Sequence, residues 1–219
     1  MSLKNLLSLL YPPKCIACSK TLAHTAALLI CPPCRSNLEF VNAKVHGEFD
    51  FDYTISFFEY NEVAREIIRD MKFGKKAYKM SDFAEIVLDF AQLLTSDYAN
   101  FDRVIPVPLH PNRERERGFN QSLLFARLIA DRLNLPLDDD ICIRIIDNMP
   151  QSMVDSQNRR DNVRGIFKLN ENAKVAGKNF LLIDDVFTSG ETLSSLARTF
   201  KEGGANEVAC IAACTAHSK

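Results

Sequence analysis

Four cysteines, one adjacent pair of aspartates and two groups of arginines are the residues whose types and spacing suit chemistry. Cys15 and Cys18 form one C-x2-C knuckle, and Cys31 and Cys34 form a second after twelve intervening residues. Each knuckle offers two sulfurs from one tight turn. Four thiolates satisfy a structural, tetrahedral Zn2+ and leave no open position for catalysis. A redox dithiol or a pair of disulfides would use the same residues; an odd total of seven cysteines weighs against a disulfide framework. Asp184 and Asp185 follow the apolar run Phe180 to Ile183, and Val186, Phe187, Thr188, Ser189, Gly190, Glu191 and Thr192 come next. Two carboxylates accept hydrogen bonds from a sugar diol or hold a divalent cation such as Mg2+. A loop of hydroxyls and glycine at the start of a helix offers donors to a phosphate. Arg113, Arg115 and Arg117, interleaved with Glu114 and Glu116, precede one helix; Arg159, Arg160 and Arg164 lie in a long polar segment. Guanidinium forks match polyanionic oxygens, so both groups are candidates for a diphosphate or a nucleic-acid backbone. A solvated, internally paired helix start is the plainer use of the first group.

These residues need elements to hold them. Phe180 to Val186 reads as a strand buried on both faces, so the acidic pair falls at its carboxyl end, where open α/β sheets bind ligands. Arg103 to Leu109 reads as a neighbouring strand ended by Pro106 and Pro108, running into the arginine-rich loop and a helix to about residue 133. Helices are expected over 62–72, 80–95 and 191–203, and strands over 141–146, 167–169 and 207–215. Residues 49–60 suggest one or two antiparallel strands, and Cys142, Cys210 and Cys214 fall in strands as inert core residues. Leucines at 3, 6, 7, 9 and 10 suggest an N-terminal packing helix ended by Pro12 and Pro13. Lys75, Lys76 and Lys79 read as a solvated basic turn. The polar stretch 36–48 reads as the boundary between a unit over 1–45 and a unit over 46–219. The irregular segment 147–165 has the length of a lid.

The whole chain has 219 residues, with 47% hydrophobic and 25% charged residues and a formal net charge of −1. Those values suit a soluble globular protein, and any nucleic-acid contact must come from a local patch. No apolar run approaches the length of a membrane span, and a cytoplasmic location is the default expectation. A P-loop nucleotidase would need a G-x-x-x-x-G-K-[ST] loop, and the sequence has none.

Three resemblances add to this reading. The cysteine segment resembles a compact zinc ribbon. The stretch Phe180 to Leu193 resembles the phosphoribosyl-diphosphate (PRPP) motif of type I phosphoribosyltransferases. That resemblance implies an α/β fold in which a parallel sheet is flanked by helices. Asp184 and Asp185 would hold the ribose hydroxyls and Mg2+, and residues 186–192 the 5′-phosphate. The order of motifs over nearly the whole chain is similar to the ComF family of competence proteins. The order runs from the knuckle pair to Pro106-Val-Pro-Leu-His110 and Arg117-Gly-Phe-Asn-Gln121. Gln151, Arg159 to Gly165 and Asp184 to Gly190 complete it. Ser189 stands where that family usually has a second threonine, and a hydroxyl is kept. The resemblance implies a cytoplasmic protein of DNA uptake, associated through the uptake machinery with the inner face of the membrane. It would bind PRPP, contact single-stranded DNA and work with helicase-like and DNA-processing partners, with Phe119 a candidate stacking face. A catalytically active phosphoribosyltransferase of nucleotide salvage is the alternative.

Overall fold

The computed structural model describes residues 12–26, 28–74, 77–90, 98, 100–147 and 165–216. The expected N-terminal helix, Gln151, and Arg159, Arg160 and Arg164 lie outside the described residues.

The chain begins with the cysteine knuckles, closed by a bridge between Lys14 and Thr21 and followed by the short helix α1 (Pro32–Ser36). Strands β1 (Phe40–Val45) and β2 (Tyr53–Glu59) lead to helices α2 (Glu62–Gly74) and α3 (Ala77–Phe90). Strand β3 (Arg103–Pro106), helix α4 (Pro111–Arg117) and helix α5 (Gln121–Leu133) follow. A small hairpin-like sheet of β4 (Cys142–Arg144) and β5 (Phe167–Leu169) precedes β6 (Asn179–Phe187), helix α6 (Glu191–Glu202) and β7 (Glu207–Thr215). The five-stranded sheet has the order β1-β2-β7-β6-β3. All its pairings are parallel except that of β1 with β2.

Alternation along the two central strands decides which core each side chain joins, because successive strand residues face opposite sides. Leu181, Ile183, Ala209 and Ile211 pack with Ile67 and Met71 of α2, Phe83 and Val87 of α3, and Phe125 and Ile129 of α5. Phe180, Leu182, Val208 and Cys210 pack with Leu196 and Phe200 of α6 and with Cys142 and Phe167 of the small sheet. Both faces of the sheet are covered, which is why these strands read as continuous apolar runs. The first core extends to Cys15, Ile16, Ile30, Cys31 and Leu38, so the ribbon is seated against α2 and α3.

Three local expectations need correction. The polar stretch 36–48 carries β1, an edge strand with no buried residue, so its sequence lacks the apolar alternation that marks a strand. The loop expected at Arg113–Arg117 is a helical turn with Pro111 at its start. The His110 side chain caps it by accepting from the Asn112 N–H, and Gly118 closes it at φ +85°. Lys79 is not solvated: it is 3% exposed and belongs to α3. Cys142, Cys210 and Cys214 are buried as expected, and burial raises all three thiols. Among the described residues no helix is long and apolar enough to cross a membrane.

Candidate functional site

The four knuckle sulfurs of Cys15, Cys18, Cys31 and Cys34 lie within 4.8 Å of one another. The Cys18 and Cys31 sulfurs are 3.7 Å apart. That is the edge, about 3.8 Å, of a tetrahedron with Zn–S bonds of about 2.3 Å, and far beyond a disulfide bond. Ser19 adopts φ +60°, and its N–H donates to the Cys15 carbonyl at 2.9 Å, closing the first knuckle. The Cys31 N–H donates to the Cys15 sulfur at 3.4 Å. Burial works against a thiolate at Cys15, but the N–H groups of Cys18, Cys31 and Ala17 outweigh it and bring the thiol down to about 7. The donor set therefore fits a structural Zn2+. Lys79 ties this centre to the main sheet: its Nζ donates to the Ile16 carbonyl at 2.6 Å and to Asp70 of α2 at 2.7 Å.

The second cluster sits at the carboxyl end of β6. Asp184 Oδ1 accepts from the Ser122 hydroxyl at 2.9 Å and from the Asp185 N–H at 2.8 Å. Burial and the neighbouring Asp185 charge push Asp184 up to about 7. Asp185 points towards α2, where Lys72 Nζ lies 2.8 Å from Oδ2 and donates to Oδ1 at 3.2 Å. Thr188 to Glu191 then turn into α6. Gly190, at φ +77°, is the residue before the helix, and a Cβ there would meet the Phe49 ring at 2.5 Å and the Phe187 ring at 2.9 Å. Only glycine suits that conformation and that space. The segment carrying Phe49 is itself pinned, because Asp50 accepts from Ser194 (2.6 Å) and from Arg198 (2.9 and 3.1 Å) of α6.

A cleft of about 280 Å³ opens over the acidic pair, and Lys72, Arg117, Gln121, Arg144, Thr188 and Thr192 line it together with Tyr60 and Ser122. Of the arginines singled out from sequence, Arg117 reaches this cleft, where it donates to Gln121 at 3.1 Å. Arg113 instead pairs with Glu116 and Asp147, and Arg115 bonds Asn112 and the Pro111 carbonyl of its own helix. Lys72 and Arg144 carry no signal of function in the sequence, since each arrives on an element whose own pattern is ordinary; Gln121 is marked there only as the end of the Arg117 to Gln121 motif. Gln121 is 1% exposed, and its amide nitrogen takes no protein hydrogen bond. A buried donor without a partner at the wall of a cleft is aimed at a ligand or a water. Burial disfavours the Arg144 charge, and Asp184 and Asp147 support it without fully compensating.

Residues 6–45 match the double zinc ribbon domain family, and residues 120–219 match the phosphoribosyl transferase domain family. The chain resembles a double zinc ribbon joined to a phosphoribosyltransferase domain. It is 33% identical to the competence protein ComFC of Bacillus subtilis over 150 residues, 68% of this chain and 58% of that protein. It is 29% identical to the DNA utilization protein YhgH of Escherichia coli O157:H7 over 146 residues, 65% of this chain and 63% of that protein. The chain thus spans somewhat under two thirds of the length of these two relatives. A glutamine PRPP amidotransferase from B. subtilis superposes with a TM-score of 0.39 at 18% identity, over 63% of this chain and 26% of that one. The resemblance to ComF proteins, drawn from motif order, is borne out by these relatives, and so is the α/β fold with an N-terminal zinc ribbon.

Proposed function

We propose that the transferase-type cleft binds PRPP, or a closely related phosphoribosyl ligand, together with Mg2+. We further propose that the protein serves DNA uptake in the cytoplasm, contacting single-stranded DNA and handing it to helicase-like and DNA-processing partners. One observation carries the ligand: the acidic pair, the 188–192 loop, three cations and the orphaned Gln121 donor converge on a single cleft at the carboxyl end of the sheet. Asp184 and Asp185 would hold the ribose hydroxyls and the metal. The N–H groups at the start of α6, with Thr188, Ser189 and Thr192, suit the 5′-phosphate. Arg117, Arg144 and Lys72 suit the diphosphate. Bound Mg2+ would supply charge neutralisation for the diphosphate oxygens. The relatives named for competence and DNA utilization support the wider role.

Isothermal titration with PRPP and Mg2+ tests the ligand. We expect binding by the wild type and its loss in Asp184→Asn/Asp185→Asn; no heat from wild type, or equal heat from the variant, rejects it. In the enzymatic alternative, a phosphoribosyltransferase of nucleotide salvage, the bond between ribose C1 and the diphosphate would break as C1 bonds to a nitrogen of an added nucleobase, with diphosphate and the nitrogen's proton leaving. Preorganised cations would stabilise the departing diphosphate. Pyrophosphate release that depends on an added nucleobase would favour that alternative.

A further inference from the structure

The cleft already contains a cation on Asp185, one of the two carboxylates that would hold the metal. Lys72 comes from the last turn of α2, 113 residues before Asp185 in sequence, and contacts both oxygens of that carboxylate. The Lys72 side chain is 26% exposed and that of Asp185 8%, so the pair is screened little by solvent. The described cleft thus holds Lys72, Arg117 and Arg144 against two carboxylates, one positive charge in excess. A bare Mg2+ at Asp185 would face three cations in the same cleft, one of them already on that carboxylate, and Mg2+ gives up its water reluctantly.

We propose that Lys72 is a built-in counter-ion that keeps free divalent metal off Asp185 and turns to the phosphates of the ligand when ligand and metal enter together. The inference rests on the phosphoribosyl reading of the cleft, and it adds a rule of entry. The metal arrives only with a polyanion, because the polyanion neutralises Arg117 and Arg144 and offers Lys72 new oxygens in exchange for the carboxylate. The lysine suits this use better than an arginine would. It is a compact charge on a flexible four-carbon stem and can swing between two partners, whereas a guanidinium fork would clamp the carboxylate. Lys72 is then a positioning residue that couples metal and ligand binding, and the coupling is reciprocal.

The experiment compares wild type with Lys72→Met, using Mn2+ alone and Mn2+ with PRPP, followed by water-proton relaxation and calorimetry. In the wild type, Mn2+ alone binds weakly and PRPP strengthens it. In Lys72→Met, Mn2+ alone binds at least about tenfold tighter than in wild type, and PRPP with Mn2+ binds at least about tenfold weaker, the scale expected of a partly buried charge contact. A lysine with a merely structural role would not move these two affinities in opposite directions. Lys72→Gln repeats the test if the methionine variant loses its cooperative melting transition. The proposal is overturned if the folded variant binds Mn2+ alone no better than wild type, or binds Mn2+ with PRPP no worse. If wild type binds no PRPP while the variant gains Mn2+, the phosphoribosyl reading is overturned and the competition between Lys72 and the metal is upheld.

Discussion

The zinc ribbon draws its four ligands from the twenty residues between Cys15 and Cys34, whereas the cleft draws its charges from α2, α4, β4 and β6, up to 113 residues apart. In the ribbon, two tight turns bring four sulfurs within 4.8 Å of one another, where a single metal would hold them. The surrounding chain supplies a seat through Ile16, Ile30 and Leu38 on the main core. In the cleft the groups come from distant parts of the chain. Strand register, helix packing and the close fit of Phe49 over Gly190 hold them. A local site survives or falls with its ligands. A distributed site falls whenever any one of its supporting elements shifts.

That contrast can be broken or sharpened by substitution, beginning with the ribbon. Cys18→Ser removes the exposed ligand of the set. We expect zinc content to fall from about one per chain to well below one, with proteolysis of residues 12–38 and a persistent resistant core, since structural zinc supplies much of the folding energy of such a unit. Metal analysis with limited proteolysis reads both. A core that becomes equally sensitive would mean that ribbon and sheet form one cooperative unit.

Gly190→Ala acts on the cleft from beneath. The added Cβ meets two aromatic rings at a left-handed φ, so urea unfolding should show a loss of about 2–4 kcal/mol, with weaker PRPP binding. Lys79→Met strikes the joint between the two regions. It strands the Ile16 carbonyl and the Asp70 carboxylate, and should cost about 2 kcal/mol by the same measurement while zinc stays bound. Zinc loss in this variant would show that the joint, and not the knuckle spacing alone, holds the ribbon.

The smallest effect is pH-dependent. Burial pushes Asp50 up, but its hydrogen bonds and charge contact with Arg198 and its bond from Ser194 outweigh this and hold it below its usual range. Folding therefore favours its ionised form. The stabilisation is full above the unfolded value of about pH 4 and is lost as pH falls through the lower folded value. Asp50→Asn should cost about 1 kcal/mol near pH 7 and nothing at the acid end, so the acid limb of a stability–pH curve flattens. An equal loss at all pH values would reduce the contact to packing.

Half of the cleft was legible in the chain before folding. The acidic pair and the loop to Thr192 are contiguous, and the apolar run before them and the amphipathic run after them announce a strand and a helix. Arg117 could be nominated but not separated from Arg113 and Arg115, because all three share one charge pattern. Only the helical turn from Pro111 to Arg117 sorts them, sending one into the cleft and two to neighbours on the surface. Lys72 was invisible as a functional residue: at the end of an amphipathic helix, a lysine is the ordinary choice. Lys79 was misjudged as solvated because the carboxylate and carbonyl that satisfy it come from α2 and the ribbon.

What the sequence determined by itself are the features written in consecutive residues: the knuckle spacing, the carboxylates behind a buried strand, and the glycine and hydroxyls that open a helix. Their geometry follows from bond lengths and local backbone preferences. What the tertiary structure decided is which charges face one another, namely Lys72 against Asp185, Arg117 and Arg144 across the same cleft, and Gln121 with a donor left free. Those pairings depend on parallel register between β3, β6 and β7 and on α2 packing over the odd-numbered face of β6. Such distances between remote residues are set by burial of the shared core, and no local pattern carries them.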